Sequence, residues 1–93
     1  MSHTRHADGL GRSRQLRRVL CLIFLLSKRG YTVHQLSRRF VVSPKTIRRD
    51  LAAIQEVGIP VYNELIVDDD IGIGVQANAF RIDHRWANQF IKT

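Results

Sequence analysis

The chain has 93 residues, of which 44% are apolar and 25% are charged, and it contains a single Cys. This length fits one small domain and leaves little room for a large buried catalytic cleft. One Cys cannot form an internal disulfide, and the longest apolar run, Val19 to Leu26, is too short to cross a bilayer. We therefore expect a single cytoplasmic domain without a membrane segment.

The charge of the chain is +7 and is divided unequally between its halves. Residues 1–49 hold twelve basic residues and one acidic residue, whereas residues 50–93 hold three basic and seven acidic ones. Most of the basic residues are Arg, whose planar guanidinium matches phosphate geometry. This asymmetry predicts one basic face and a polyanionic partner.

The first residues, 1–11, show no hydrophobic period and contain two Gly, which predicts a flexible cationic arm. A helical pattern follows and predicts helix 1 over 12–28. Its inward face is expected to carry Leu16, Leu20, Ile23 and Phe24. The opposite side is also apolar, with Cys21, Leu22 and Leu25. Either the C-terminal segment covers that side or it forms a homodimer interface.

Two shorter helices are marked by their caps. Thr32 and Gln35 have the spacing of a capping box and predict helix 2 over 32–40. Ser43 as an N-cap and Pro44 at the first helical position predict helix 3 over 44–57, which ends at Gly58. The predicted core stripe of helix 3 consists of Ile47, Leu51 and Ile54.

Beyond Pro60 the residue pattern becomes typical of β-strands. Residues 61–82 predict a β-hairpin, although the segment 71–75 fits either a strand or the tip. Residues 83–93 form a short C-terminal segment that fits a helix, with Trp86 and Phe90 paired, or a final strand; we favour the helix.

Three helices followed by a hairpin indicate an α+β fold, a helix-turn-helix with a β-hairpin wing. With the core stripe facing inward, Lys45 and Arg49 project outward on helix 3, and Thr46 and Arg48 lie on its flanks. This face suits insertion into the major groove of double-stranded DNA. Near the end of helix 2, Arg38 and Arg39 either grip phosphates or form an ordinary solvated face.

The chain resembles a known family over residues 14–63. The stretch Thr-Val-His-Gln-Leu-Ser-Arg-Arg-Phe-Val-Val-Ser-Pro-Lys-Thr-Ile-Arg-Arg-Asp-Leu and the later Gly-Ile-Pro-Val are similar to the N-terminal winged helix-turn-helix domain of bacterial DeoR-type and WYL-domain transcriptional regulators. The resemblance implies that recognition-helix positions meet DNA at Ser43, Lys45, Thr46, Arg48 and Arg49. Such regulators continue into an effector-sensing domain. We expect no small-molecule effector to bind the present domain itself.

The wing departs from the family pattern because its tip carries Asp68, Asp69 and Asp70, which phosphate would repel. We expect a solvated acidic turn, since these residues lack the alternating spacing of a calcium loop. The wing tip is therefore predicted to stay off the DNA. The arm, through Arg5, and the adjoining Arg12 and Arg14 are predicted to supply a second contact region.

A structural role is expected for Asp50, which we predict to pair with Arg17, Arg18 or Arg39 and so fix the helix arrangement. The sequence shows no metal-ligand spacing, phosphate loop or nucleophile beside a His-acid arrangement. We thus expect no catalysis, no metal and no cofactor. The predicted function is sequence-specific DNA binding by a nucleoid-associated homodimer. The alternative is a winged-helix module that binds an acidic protein partner.

Overall fold

The computed structural model describes residues 2–86 of the chain, and the side chains of residues 11–86. In chain order the three helices come first, with one short strand between the first and the second, and a β-hairpin follows them. The elements in chain order are α1 (Ser2–Lys28), β1 (Tyr31–Thr32), α2 (Val33–Phe40), α3 (Pro44–Glu56), β2 (Val61–Val67) and β3 (Gln76–Ile82). This confirms the predicted α+β fold of a helix-turn-helix with a β-hairpin wing.

The backbone of α1 begins at Ser2, so the prediction that the first helix starts at residue 12 is wrong, and residues 2–11 of the predicted arm are helical. Once a helix has a packed nucleus, each added residue gains a backbone hydrogen bond. Gly9 and Gly11 each cost only about 1 kcal/mol relative to Ala, which does not end the helix. Within residues 2–86, no helix combines the length and hydropathy that a bilayer span requires.

Local capping explains where α2 and α3 begin, as the sequence predicts to within one residue. The Thr32 hydroxyl accepts a hydrogen bond from the Gln35 N–H, and the Gln35 side chain accepts one from the Thr32 N–H, both at 3.0 Å. Gly58 adopts a φ of +92° after α3, where its N–H donates to the Gln55 carbonyl and the next N–H donates to the Ile54 carbonyl. That backbone conformation favours glycine and ends α3.

The three strands form an antiparallel sheet in the order β1-β3-β2. Strand β2 pairs with β3 from Val61 opposite Ile82 to Val67 opposite Gln76, which assigns residues 68–75 to the tip. The two-residue strand β1, which the sequence pattern does not predict, pairs with β3 at Phe80 and Ala79. A Cβ on the buried Gly30 would lie 3.0 Å from the Ala79 Cβ, so any other residue at the turn into β1 would require Ala79 to shift by a few tenths of an ångström.

The core lies between α1, the two short helices and the inner side of the sheet. The predicted stripe of α3, Ile47, Leu51 and Ile54, is buried as expected. The predicted orientation of α1 is wrong. Its buried positions are Leu22 and Leu26, whereas Leu16, Leu20 and Phe24 are 60%, 58% and 60% exposed, and Ile23 is half-buried against the core.

The reason for the reversed face is that α1 is apolar on both sides, so hydrophobic periodicity does not choose between them. A polar residue determines which side of α1 faces the core. Arg18 lies one turn before Leu22 on the same face and pairs with Asp50 on α3. Burying Leu16 instead would turn Arg18 away from that carboxylate.

The C-terminal segment is described as far as Trp86, which is half-buried and packs against the core. Its N–H donates a hydrogen bond to the Asp83 carbonyl at 3.1 Å. Residues 87–93 of the predicted C-terminal helix, which include Phe90, lie outside the described residues.

Candidate nucleic-acid interface

The first turn of α3 is fixed by the Ser43 side chain. Its hydroxyl accepts a hydrogen bond from the Thr46 N–H at 3.1 Å and lies 3.0 Å from the Thr46 hydroxyl. Pro44 occupies the first helical position, where a backbone N–H has no partner within the helix. The exposed start of α3 is therefore held in one conformation before any partner binds.

The outward face of α3 is cationic, as predicted. Lys45, Arg48 and Arg49 are exposed, Thr46 is half-buried, and Ser43 is exposed at the cap. Lys45 and Arg49 lie on the side of α3 away from Ile47 and Leu51, and Thr46 and Arg48 lie on its flanks. The described part of α3 contributes only one exposed acidic residue, Glu56, in its last turn. The exposed cations can form charge-assisted hydrogen bonds to phosphate oxygens or to guanine edges.

The position of α3 against α1 is set by the predicted ion pair of Asp50, which the structure assigns to Arg18. The Arg18 Nε–H donates to one carboxylate oxygen of Asp50, and its Nη2 donates to the other at 3.2 Å. Asp50 is fully buried. Hydrogen bonding to Asp50 raises the pKa of Arg18, which therefore stays charged. These two hydrogen bonds fix the rotation of α3 about its own axis and its position along α1.

The turn between α2 and α3 contains a non-glycine residue in the left-handed region. Val41 has a φ of +54°, and both its own N–H and that of Val42 donate to the Ser37 carbonyl. For a β-branched residue this conformation is strained, at a cost on the order of 1–3 kcal/mol. Immediately after Val41, Val42 packs against the core and Ser43 caps α3, so the chain on that side of the turn is fixed.

The wing tip is attached to α2 in a way that sequence reasoning missed. Asp68 is buried, contrary to the expectation of a solvated acidic turn, because its carboxylate accepts a hydrogen bond from the Thr32 hydroxyl at 2.9 Å. Asp70 forms an ion pair with Arg38 at 3.2 Å, and Asp69 accepts a hydrogen bond from the Gly74 N–H at 3.0 Å. A run of three Asp gives no sign of which member is buried.

These contacts determine which of the arginines predicted to contact DNA are already engaged within the domain. Arg38 is exposed but engaged with Asp70, whereas Arg39 lies exposed beside the turn. Arg12 and Arg14 are exposed on α1, and the side chain of Arg5 lies outside the described ones. Across the described residues, no three His, Cys, Asp or Glu side chains are placed to share a metal ion.

A buried three-helix core, a wing and an exposed cationic α3 together define a winged helix-turn-helix domain. The model of the HTH domain family matches residues 17–64, just over half of the chain, so this chain belongs to that family. The match runs from the second half of α1 into β2. No curated protein and no solved structure matches the chain significantly. Helix-turn-helix domains bind DNA through the second helix of the motif, which is α3 in this chain. Membership of the family therefore indicates DNA as the partner.

Proposed function

We propose that this chain is the sequence-specific, double-stranded DNA-binding domain of a bacterial transcriptional regulator. The observation that supports this most directly is the face of α3, where Lys45, Arg48 and Arg49 are exposed on a helix whose start is fixed by Ser43. In this proposal α3 lies in the major groove and one of the two arginines forms a bidentate contact with guanine. The role is binding, not catalysis, and it requires no cofactor.

The finer parts of the proposal come from the sequence. The similarity to DeoR-type and WYL-domain regulators supports a cytoplasmic, nucleoid-associated regulator that acts by occupying its operator. A homodimer would place two copies of α3 on half-sites one helical turn apart, about 34 Å. Arg39, Arg12 and Arg14 are proposed to contact phosphates outside the recognition helix, and Arg38 contributes once it leaves Asp70.

The experiment is fluorescence anisotropy of a labelled duplex as a function of salt, with two variants of equal net charge. The first carries Lys45→Gln, Arg48→Gln and Arg49→Gln. The matched control carries Arg29→Gln, Arg81→Gln and Arg85→Gln, which removes three cations that lie away from α3. Circular dichroism first establishes that both variants retain the fold.

The two variants separate recognition from nonspecific attraction. Each phosphate contact contributes about 0.9 to the slope of log K against log salt, so loss of three contacts lowers the slope by up to about 2.7. We expect the α3 variant to lose most of the affinity and of this slope, and the control to retain both. Equal losses in the two variants would show that only the overall charge attracts DNA and would overturn the groove model.

A second candidate function is a winged-helix module for an acidic protein partner, and the exposed apolar side chains of α1 favour it. Under this alternative, DNA binding is weak and shows no sequence preference. Selection of a preferred duplex from a random pool distinguishes the two. Specific regulators prefer their sites over bulk DNA by about 10³ or more.

A further inference from the structure

The face of α1 that turns away from the core carries three large apolar side chains in a single row. Leu16, Leu20 and Phe24 are spaced at i, i+4 and i+8, and each is more than half exposed. We refer to these three residues as the apolar row. A surface patch of this kind amounts to roughly 300 Å² of apolar area, a size at which exposed patches on monomers are often functional.

Shallow grooves border the apolar row. One groove of about 370 Å³ runs between α1 and the end of α2, and its lining includes Leu20, Phe24, Leu25 and Phe40. A second, of about 320 Å³, lies further toward the start of α1 and includes Leu16 and Leu20. Cys21 is exposed and lines both grooves, which places it near the middle of this surface.

We propose that the apolar row is the surface on which a second copy of this chain docks. Rows of residues at i, i+4 and i+8 form ridges that pack into the grooves of an identical helix, the commonest mode of helix packing in globular proteins. Because each copy carries both the ridge on α1 and the adjoining grooves, one of which α2 helps to line, two copies related by a two-fold axis can each place the ridge in the other's groove. The assignment rests on the proposed function for its homodimer and deepens it by naming the interface.

The size of this surface is consistent with a weak dimer. The apolar row extends from Leu16 to Phe24, which corresponds to about 12 Å of α1. With the grooves beside it, the row would bury on the order of 500 Å² per copy, somewhat less than the roughly 600–1,000 Å² per partner of stable protein interfaces. Two half-sites on one duplex would hold the copies together at a high effective concentration and so strengthen this contact.

Charge gives the dimer a characteristic dependence on salt. The charged side chains that line the two grooves in the described part of the chain are Arg17 and Arg39. Lys28 lies over the Phe24 ring, 4.5 Å from its centroid, and adds a further cation. Two copies bring these cations together, and salt screens the repulsion. The affinity of the dimer therefore increases with salt. The affinity for DNA phosphates, or for an acidic protein partner, decreases with salt.

The test is sedimentation velocity of the DNA-free protein from about 1 µM to about 1 mM, at about 0.1 M and about 0.5 M salt. Leu20→Glu places a charge in the middle of the row on a side chain that is already exposed. Leu65→Glu is the matched control, because Leu65 is 65% exposed on the wing. We expect Leu20→Glu to raise the dimer Kd at least tenfold and Leu65→Glu to change it less than twofold.

The labelling rate of Cys21 by a maleimide gives a second reading of the same interface. In the wild type the rate should fall as the protein concentration passes the dimer Kd, because a second copy covers the grooves. In Leu20→Glu it should stay constant. A monomer at 1 mM, or a dimer that both variants leave intact, overturns the proposal, as does weakening by salt.

These outcomes are independent of DNA binding. A wild type that stays monomeric but binds duplex DNA through α3 refutes the docking surface and leaves the DNA proposal standing. A dimer disrupted by Leu20→Glu, in a protein whose α3 variant binds duplex as the wild type does, supports the surface and refutes the recognition helix.

Discussion

Replacing Arg18 with Met should destabilise this domain more than replacing Asp50 with Ala, even though both changes break the same ion pair. The Asp50 side chain is 1% exposed, and that of Arg18 is 17% exposed. Without Arg18, a carboxylate remains buried without its cation. Without Asp50, the long Arg18 side chain turns its guanidinium toward water.

The magnitudes follow from this difference in burial. Removing one partner of a buried pair costs about 3–5 kcal/mol when the other charge stays buried, and we expect Arg18→Met to fall in this range. Loss of a hydrogen bond to a charged group costs about 1.5–3 kcal/mol, and we expect Asp50→Ala to fall there. For a domain of this size, 1 kcal/mol lowers Tm by about 4–8 °C.

The assay is urea unfolding of the two single variants and the double variant, followed by circular dichroism at low temperature. Arg17→Met is the control, because Arg17 is an exposed neighbour on the same helix and its replacement should cost less than about 0.5 kcal/mol. The double variant should be less destabilised than the sum of the single ones. Equal costs for the two single variants, or strict additivity, would refute this account of the pair.

Two further predictions concern the wing and the segment after β3. Asp70→Asn should raise DNA affinity about two- to fivefold, because it removes a repelled charge and frees Arg38 for phosphate, while exposed pairs of this kind contribute only about 0–1 kcal/mol to stability. Asp69→Asn removes the same charge without freeing Arg38 and should give a smaller gain; equal gains would exclude a role for Arg38. Hydrogen bonds from the Arg85 side chain lower the pKa of Asp83 from 3.8 to about 2, so the contribution of this contact to stability is present above pH 3.8 and is lost as the pH falls through about 2. A carboxyl titration by NMR should show this midpoint in the wild type and its return toward 3.8 in Arg85→Ala, and an unchanged midpoint would contradict the assigned contact.

Capping and turn residues made the helix-turn-helix predictable. Thr32, Gln35, Ser43 and Pro44 act through local hydrogen bonds and sterics, which depend on short sequence spacing alone. The α2 and α3 boundaries are therefore correct to within one residue. The cationic face of α3 follows in turn from its period and its buried stripe.

What the sequence did not reveal depends on contacts between distant segments. The orientation of α1 is decided by one ion pair across 32 residues, because both sides of the helix are apolar. Strand β1 consists of two residues and exists only through its pairing with β3. The burial of Asp68 requires Thr32, which is 36 residues away. The sequence named Arg18 among three candidate partners of Asp50, but spacing along the chain does not select it, and spacing indicates neither β1 nor the partner of Asp68.

The two contacts of the wing tip with α2 have a kinetic consequence. Asp68 holds the tip to the start of α2 through Thr32, and Asp70 holds it to the end of α2 through Arg38. The buried contact between Asp68 and Thr32 therefore keeps the hairpin tip against the recognition unit even when the exposed pair of Arg38 and Asp70 opens, so that little ordering of the wing is needed on binding. An encounter with a polyanion is then limited by orientation and electrostatic steering, so that variants that remove exposed cations should lower mainly the association rate.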